Sequence, residues 1–138
     1  ACPYSRFQLK QYIEQTQNDL FADRQLRLMI ENGNRQVVGI VDLCSFDPLH
    51  NRAEVGIMVD KSCRRQGIGR NALALLEEHC FRYLGILQLF AYIAVENLPS
   101  RRLFAACGYK ESAVLKEWAH TFGGGYTDVL VVQKLNLS

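Results

Sequence analysis

The sequence lacks several features that would assign a protein to a large class at once. No apolar run approaches the roughly 18 residues that a membrane-spanning helix needs, so no membrane partner is expected. The net charge is only +2, and no basic stripe with interleaved aromatic residues points to a nucleic-acid partner. Glycine (10 residues) and proline (3 residues) are too few for a collagen-like or disordered chain. What remains is an ordinary globular composition, 49% hydrophobic and 22% charged.

The five cysteines are spaced too widely for a metal or redox motif. No two of them are separated by two residues, which argues against zinc knuckles and thioredoxin-like sites. Cys44, Cys80 and Cys107 lie among apolar neighbours and are interpreted as small core residues, and Cys63 is interpreted in the same way. Unpaired thiols of this kind are typical of a reducing cytosol, so a cytoplasmic protein is expected. The histidines and carboxylates show no metal-ligand spacing, so no metal site is expected.

The chain of 138 residues is long enough for one domain with its own core. No internal repeat or linker divides it, so residues 1–138 are predicted to form a single domain. The sequence opens on Ala1-Cys2-Pro3-Tyr4, with neither an initiator methionine nor a signal-peptide pattern. It is therefore either a complete small domain or one that lacks its front.

Hydrophobic periodicity predicts a mixed α/β domain in the order helix, three strands, helix, strand, helix, two strands. The first helix is predicted from Ser5 to about Gln17, and Asn32-Gly33-Asn34 is predicted to be a hairpin turn. Gly56 interrupts the third strand and indicates a bulge or a close backbone approach there. The remaining helices are predicted to end at Gly85 and Gly108, with Asn97 capping the second. Strands are predicted over residues 26–30, 37–46, 54–59, 86–95, 109–118 and 126–135.

The stretch from Arg64 to Arg70 is the strongest candidate for a binding site. It places a basic turn at the start of a helix, where unpaired N–H groups and partial positive charge favour a phosphate. Gly67 and Gly69 would let the backbone approach a ligand closely. The stretch lacks the Gly-Lys-Ser/Thr of a Walker loop and the third glycine of a dinucleotide fingerprint. On spacing alone, a phosphate site and a solvated strand-to-helix turn are equal alternatives.

Three motifs in register resemble the GCN5-related N-acetyltransferase (GNAT) superfamily. The first is Arg64-Arg65-Gln66-Gly67-Ile68-Gly69, which follows a strand and opens a helix. The second is Glu96-Asn97-Leu98-Pro99-Ser100 with the later Cys107-Gly108-Tyr109. The third is Asn51-Arg52-Ala53-Glu54-Val55-Gly56-Ile57, similar to a strand of the spermidine and ribosomal-protein N-acetyltransferase branch. The resemblance covers about residues 5–135. It implies an α/β, mixed-sheet, GNAT-like acyl-CoA N-acyltransferase fold without its first strand and helix.

The resemblance also implies acetyl-CoA as co-substrate and no metal. The sheet is expected to splay between the third and fourth predicted strands, with the thioester in the gap. Backbone groups of Ile57, Met58 and Val59 would pair with the pantetheine arm as if it were an added strand. Asn97 would help to position the pantetheine side. The residues implied in holding the pyrophosphate are Arg64, Arg65, Gln66, Gly67, Ile68, Gly69 and Arg70.

The implied reaction is direct transfer of the acetyl group to an amine. Glu54 is the candidate base, acting through water, and a structural or substrate-orienting carboxylate is its equal alternative. Backbone N–H groups near Met58 and Val59 are candidate oxyanion donors. The tyrosine that often serves the family as general acid corresponds to Phe104, which has no proton to give. Ser100, one helical turn earlier, is therefore the candidate donor to the sulfur, with a capping hydroxyl as the alternative.

The acceptor and the assembly stay open at this point. A polyamine would need several carboxylates, and four are available, namely Glu31, Asp42, Asp47 and Glu54. A protein N-terminus, as in the ribosomal-protein branch, is the rival acceptor. A non-catalytic acyl-CoA-binding module is the alternative from another class, which Phe104 favours, and a homo-oligomer is left open.

The last predicted hairpin and the front of the chain carry two further expectations. Trp118, His120, Phe122 and Tyr126 surround that hairpin, which in the family often borders the acceptor site, with simple packing as the alternative. Family members usually begin with a strand and a helix ahead of the segment that starts here at Ser5. The resemblance therefore implies a domain that lacks its front edge.

Overall fold

The computed structural model describes residues 8–11, 20–64 and 67–137, and of residues 8–11 only the backbone. Two short helical turns accompany the main elements, a 3-10 turn at Lys61–Cys63 and a π turn at His79–Tyr83 that continues α2. The strands are β1 (Gln8–Gln11), β2 (Leu26–Glu31), β3 (Val37–Asp47), β4 (Arg52–Val59), β5 (Gln88–Ala94), β6 (Lys110–His120) and β7 (Tyr126–Leu135). The helices are α1 (Leu20–Asp23), α2 (Ile68–Glu78) and α3 (Leu98–Ala106).

The predicted order of elements is confirmed from β2 to β7, and the prediction for the front of the chain is wrong where it can be compared. Gln8–Gln11 is a strand that pairs antiparallel with β2, although a helix was expected from Ser5 to Gln17. The free edge of β2 offers this segment backbone hydrogen bonds that a weak helical pattern does not outweigh. The rest of the predicted helix lies outside the described residues.

All the strands lie in one seven-stranded sheet in the order β1-β2-β3-β4-β5-β7-β6. Only β4 and β5 run parallel, because α2 crosses over between them. The core lies between α2 and one face of the sheet, where Val41, Ala53 and Leu89 meet Leu73 and Leu76. The opposite side of the sheet, called the open face below, carries the alternate side chains. Members of the open face are Asp42, Glu54, Met58, Phe90 and Gln133.

The turn residues act where the sequence predicts them. The Asn32 carboxamide oxygen accepts hydrogen bonds from the N–H groups of Asn34 (2.8 Å) and Gln36 (3.0 Å), which fixes the first hairpin. Gly85 and Gly108 have positive φ angles of 66° and 90° at the ends of their helices. Both helix ends are therefore as predicted.

The close backbone approach expected at Gly56 occurs at Gly39 instead. A Cβ atom built on Gly39 would lie 2.6 Å from the Met58 carbonyl oxygen, whereas one on Gly56 would have its nearest neighbour at 3.9 Å. Gly56 pairs regularly with Asp42, so that part of β4 has no bulge. Both glycines lie within predicted strands, so residue type does not distinguish them. The distance to the neighbouring strand in the structure does.

The cysteines differ from the sequence interpretation at one position. Cys44, Cys80 and Cys107 are free, and burial raises the pKa of Cys44 to about 11 and that of Cys80 to about 12. Cys63 is buried as expected but is disulfide-bonded, which corrects its interpretation as a free core thiol. Spacing alone does not show which sulfur atoms come within bonding distance. No helix in the described part of the chain is long and apolar enough to cross a membrane.

Candidate functional site

The N-terminus of α2 has the form that a phosphate-binding turn requires. Gly67 precedes the helix with φ 77° and ψ 6°, a left-handed conformation that strongly favours glycine. A Cβ atom at Gly67 would have no neighbour within 4 Å, so open space lies in front of the turn. Ile68 is only 1% exposed and anchors the first turn to the core. The N–H groups of that turn have no partners within the helix and are available to an anion.

Two glycine positions in this turn have different physical causes. At Gly69 an added Cβ would lie 3.1 Å from the Leu103 side chain, so the missing side chain lets α2 pack closely against α3. At Gly67 the cause is the left-handed backbone. The turn therefore needs one glycine for its own conformation and one for its neighbour.

The segment that leads into the turn is held by side-chain hydrogen bonds. The Asp60 carboxylate accepts from the Ser62 N–H (3.1 Å) and hydroxyl (3.0 Å), and these bonds hold the pKa of Asp60 below its usual value. The Arg64 Nε atom donates to the Val59 carbonyl oxygen at 3.2 Å. Arg64 and Arg70 are both exposed, on either side of Gly67. Arg65 and Gln66 lie outside the described residues.

The sheet opens beside this turn, between β4 and β5. The two strands pair only from Arg52 to Glu54, with Glu54 opposite Phe90. Beyond that point β4 continues along β3, and β5 continues along β7 to Ala94. The predicted splay between these strands is therefore present, and it begins at Glu54.

The outer edge of β4 directs backbone hydrogen-bonding groups toward this opening. The Asp60 N–H donates to the Val38 carbonyl oxygen at 2.8 Å, which places Asp60 in a hydrogen-bonded pair with β3. Because such pairs alternate along antiparallel strands, Met58 also bonds to β3, and Ile57 and Val59 direct their N–H and C=O groups away from β3, toward the opening. The Val59 carbonyl oxygen already accepts from Arg64. Of the three residues that the sequence suggests for the pantetheine arm, Ile57 and Val59 have the required backbone orientation.

Glu54 lies at the apex of the opening, on the open face. Its carboxylate accepts a hydrogen bond from the Ser45 hydroxyl at 3.4 Å. In the described part of the chain it has no cationic partner. This distinguishes it from Asp42, which two Arg27 nitrogens bind at 2.8 and 3.0 Å, and from Asp47, whose carboxylate lies 3.8 Å from Arg52.

A cleft of about 380 Å³ adjoins Glu54 on the open face. Phe90, which pairs with Glu54 across the strands, forms part of its wall and contacts Tyr92 edge to face at 5.8 Å. Gln88 and Gln133 are joined by a hydrogen bond of 2.8 Å. The lining residues are Ser45, Asp47, Arg52, Gln88, Phe90, Tyr92, Val131 and Gln133. Most of them carry no motif, so sequence reasoning missed this cleft.

The carboxylates that a polyamine would need are partly brought together. Asp42, Asp47 and Glu54 lie on the open face of two adjacent strands, whereas Glu31 lies at the end of β2. The N–H groups of His50 and Leu49 and the nearby Arg52 hold the pKa of Asp47 below its usual value. Asp47 therefore lines the cleft, and Glu54 lies beside it, opposite the lining residue Phe90.

Helix α3 begins four residues after the end of β5. The Asn97 side-chain oxygen accepts from the Ser100 N–H at 3.3 Å, so Asn97 caps the helix as predicted. The Ser100 hydroxyl is consequently not the cap, and it has no hydrogen bond within the described residues. Phe104 is 3% exposed and packs edge to face on Tyr109 at 4.9 Å, so its ring belongs to the core.

The hairpin between β6 and β7 carries the exposed aromatic side chains expected there. Trp118, Phe122 and Tyr126 are exposed, and His120 contacts the Tyr126 ring edge to face at 5.1 Å. No group of three or more His, Cys, Asp or Glu side chains converges on a metal site in the part of the chain that is described.

Comparison with known proteins places this geometry in a family. A family model described as an acetyltransferase (GNAT) domain matches residues 1–110. Spermidine N(1)-acetyltransferase of Vibrio cholerae is 26% identical over 128 residues, covering 92% of this chain and 72% of that protein. A putative phosphinothricin acetyltransferase of Bacillus subtilis is 34% identical over 102 residues, covering 70% of this chain and 59% of that protein.

Solved structures agree with the sequence comparison. A variant of spermidine N-acetyltransferase SpeG from Vibrio cholerae superposes with a TM-score of 0.77 at 25% identity, covering 81% of this chain and 64% of that one. A chimera of the same enzyme reaches a TM-score of 0.83 over 96% of both chains at 20% identity, which shows the fold alone. The chain spans 59–72% of the length of the two curated relatives named above. Because the family model matches most of the residues of this chain, the chain belongs to the GNAT acetyltransferase family.

Proposed function

We propose that this protein transfers an acetyl group from acetyl-CoA to a primary amine, with a polyamine as the acceptor. The observation that carries the proposal is the parting of β4 from β5 at Glu54, beside the glycine turn that begins α2. The opening offers a place for a thioester, the turn offers one for a pyrophosphate, and the adjoining cleft offers one for an amine.

The described residues fit acetyl-CoA. The N–H groups from Gly67 to Arg70 would hold the pyrophosphate, with Arg64, Arg65, Gln66 and Arg70 as polar neighbours. The backbone of Ile57 and Val59 would pair with the pantetheine arm, and Met58 would support them through its bonds to β3. Asn97, which caps α3 just after β5, would help to position the pantetheine side.

Glu54 would act as the base in the transfer. The neutral amine nitrogen attacks the thioester carbon, the C–S bond breaks, and the proton released by nitrogen passes to Glu54, directly or through one water. N–H groups of β4 that face the opening would stabilise the oxyanion. The unpaired Ser100 hydroxyl would donate to the departing sulfur, a role for which the buried Phe104 has no proton.

The cleft favours a cationic acceptor. Arg52 offsets the charge of Asp47, but Glu54 beside the cleft has no cationic partner among the described residues. The rings of Phe90 and Tyr92 supply aromatic surface that attracts ammonium groups. The relative from Vibrio cholerae bears the name of a spermidine acetyltransferase, which agrees with a polyamine. A ribosomal-protein-type N-terminal acetyltransferase and a non-catalytic acyl-CoA-binding module are the competing functions.

An amine panel tests these functions together. CoA release is followed with spermidine, a basic peptide with a free N-terminus and no amine. Turnover with spermidine above the hydrolysis background is the expected result, whereas turnover with the peptide alone would favour the N-terminal acetyltransferase. Tight acetyl-CoA binding without transfer to any amine would favour the non-catalytic acyl-CoA-binding module.

The role of Glu54 is tested by Glu54→Gln. Loss of a general base typically lowers kcat by about 100-fold or more, so a fall of that size is expected, with little change in the KM for acetyl-CoA. Glu78→Gln is the matched control, because Glu78 is an exposed carboxylate of α2 that pairs with Arg82. Unchanged kcat in Glu54→Gln would assign Glu54 a structural role.

Assembly and compartment are proposed on separate grounds. We propose a homo-oligomer because β6 is an edge strand with exposed apolar side chains, and a structure of the Vibrio cholerae relative is described as dodecameric. Light scattering during size-exclusion chromatography gives the mass, and a monomer at all concentrations would contradict this.

We propose a cytoplasmic setting because Cys44, Cys80 and Cys107 are free. The disulfide at Cys63 argues the other way, so trapping of thiols in intact cells decides.

A further inference from the structure

Strand β3 contains a bulge directly opposite Glu54. Cys44 lies opposite Glu54 and Asp47 lies opposite Arg52, so Ser45 and Phe46 together face the single residue Ala53. One extra residue in a strand reverses which side chains point to each face. Phe46 thereby reaches the core, where it is 5% exposed.

The same bulge delivers two side chains to the cleft. In an unbroken strand the odd-numbered residues that follow the buried Val41 and Leu43 would face the core. After the bulge, Ser45 and Asp47 line the cleft on the open face instead. The bulge therefore supplies the part of the cleft wall that β3 contributes.

Ser45 occupies a backbone conformation that disfavours serine. Its φ is 50°, in the left-handed region that only glycine, and to a lesser extent asparagine and aspartate, adopts readily. Strained residues of this kind persist where the surrounding structure fixes them, and they are concentrated at functional sites. The Ser45 hydroxyl donates a hydrogen bond to the Glu54 carboxylate at 3.4 Å, and the Cys44 thiol opposite Glu54 also interacts with that carboxylate.

We propose that Ser45 is a positioning residue for Glu54, and that the β3 bulge serves to place its hydroxyl on that carboxylate. The hydrogen bond fixes the rotamer of Glu54 at the apex of the opening, where the carboxylate would accept the proton of the attacking amine. This inference rests on the proposed function, since it assigns Ser45 a part in the same reaction.

Other charged and titratable groups near Glu54 set the background for this role. Strand β3 contributes Asp42, Cys44 and Asp47, β4 contributes Arg52, and β5 contributes Tyr92. Asp42 is neutralised by Arg27, and Cys44 stays a neutral thiol because its pKa is raised to about 11. Asp47 and Arg52 offset each other's charge. None of these groups neutralises Glu54, and the Ser45 hydroxyl donates a hydrogen bond that holds its carboxylate in place.

Three substitutions separate positioning from a structural role. Ser45→Ala and Ser45→Gly both remove the hydroxyl, and only glycine also relieves the strained φ. Ser45→Asn tolerates the left-handed backbone and restores a donor. If Ser45 positions Glu54, kcat falls about tenfold in both Ala and Gly, the KM for acetyl-CoA stays constant, and Asn recovers most of kcat.

The split between kcat and KM gives a readout that a purely structural role would not move. Loss of the hydroxyl should lower kcat by a similar factor in Ala and Gly and leave the KM for acetyl-CoA unchanged. Melting temperature should follow a different order, with Gly above the parent and Ala below it. Kinetics that follow the melting temperature, or a wild-type kcat in Ser45→Gly, would overturn the proposal.

A matched control and an activity-independent measurement complete the test. Glu117 also has a positive φ, 49°, at a bulge of β6, so Glu117→Gly should raise the melting temperature and leave kcat unchanged. If the wild type acetylates no amine, the proposed function fails. The NMR signal of the Glu54 carboxyl carbon at one fixed pH then still decides about Ser45, because loss of the hydroxyl should change its chemical shift and Glu117→Gly should not.

Discussion

At the scale of single residues, this site depends on backbone angles as much as on side-chain chemistry. Gly67 precedes α2 and Ser45 lies in the β3 bulge, and both have positive φ angles, 77° and 50°. At Gly67 the residue type matches the angle, so the sequence already marks the position. At Ser45 the residue type does not match the angle. A serine in this strained conformation indicates a role for its side chain, which a glycine would not.

Replacement of Gly67 by valine should abolish tight acetyl-CoA binding without unfolding the protein. A β-branched residue strains the left-handed backbone, and its methyl groups enter the space in front of the α2 N-terminus. Calorimetry should show acetyl-CoA affinity weakened by at least tenfold. Gly85→Val is the matched control, since Gly85 has φ 66° at the other end of the same helical segment. It should lose comparable stability and keep its affinity, and equal affinities in the two variants would refute the assignment of the turn.

At the scale of elements, the site depends on how closely β3 and β4 approach each other. Strand β4 can present Ile57 and Val59 to the opening only because its other edge is fixed to β3. Gly39 allows this close approach, because the Met58 carbonyl oxygen lies only 2.6 Å from the position that a Cβ atom on residue 39 would take. The pairing of two strands on one side of β4 thus sets the backbone that is offered on the other side.

Gly39→Ala should therefore destabilise the protein far more than Gly56→Ala does. A Cβ atom 2.6 Å from backbone oxygen forces the strands apart, at a cost of about 2 kcal/mol or more of unfolding free energy. At Gly56 the nearest atom would be 3.9 Å away, so a change within about 0.5 kcal/mol is expected there. Urea denaturation of both variants measures the difference. A smaller loss in Gly39→Ala than in Gly56→Ala would contradict this account of the strand spacing.

At the scale of the whole molecule, one buried ion pair joins elements that are distant in the sequence. Lys134 of β7 contacts the Glu77 carboxylate of α2 at 2.5 Å and the Cys107 carbonyl oxygen after α3 at 2.6 Å. The ammonium group also lies 5.9 Å from the centre of the Tyr109 ring. Both helices that border the opening are thereby tied to the same strand.

Removal of Lys134 should cost more than removal of the pair. Lys134→Met leaves Glu77, which is only 8% exposed, without its partner, and a loss of about 3 kcal/mol in unfolding free energy is expected. The double variant Lys134→Met with Glu77→Met should recover much of that loss, as a double-mutant cycle by chemical denaturation would show. Lys116→Met, which breaks an exposed pair with Asp128, should change stability by less than about 1 kcal/mol. Strict additivity in the cycle would mean that the pair contributes nothing.

The sequence alone determined the elements from β2 to β7, the caps at Asn97 and Gly108, and the glycine turn at Gly67, because each is encoded in local periodicity and residue type. It also identified Glu54 as the candidate base, through the family resemblance. It did not determine the pairing of Gln8–Gln11, the close approach at Gly39, the disulfide at Cys63 or the cleft beside Glu54. These features depend on which strands meet and in what register, and that is decided only when the sheet assembles. The bulge at Ser45 shows the reason most directly, since one inserted residue in β3 changes the face of every side chain after it.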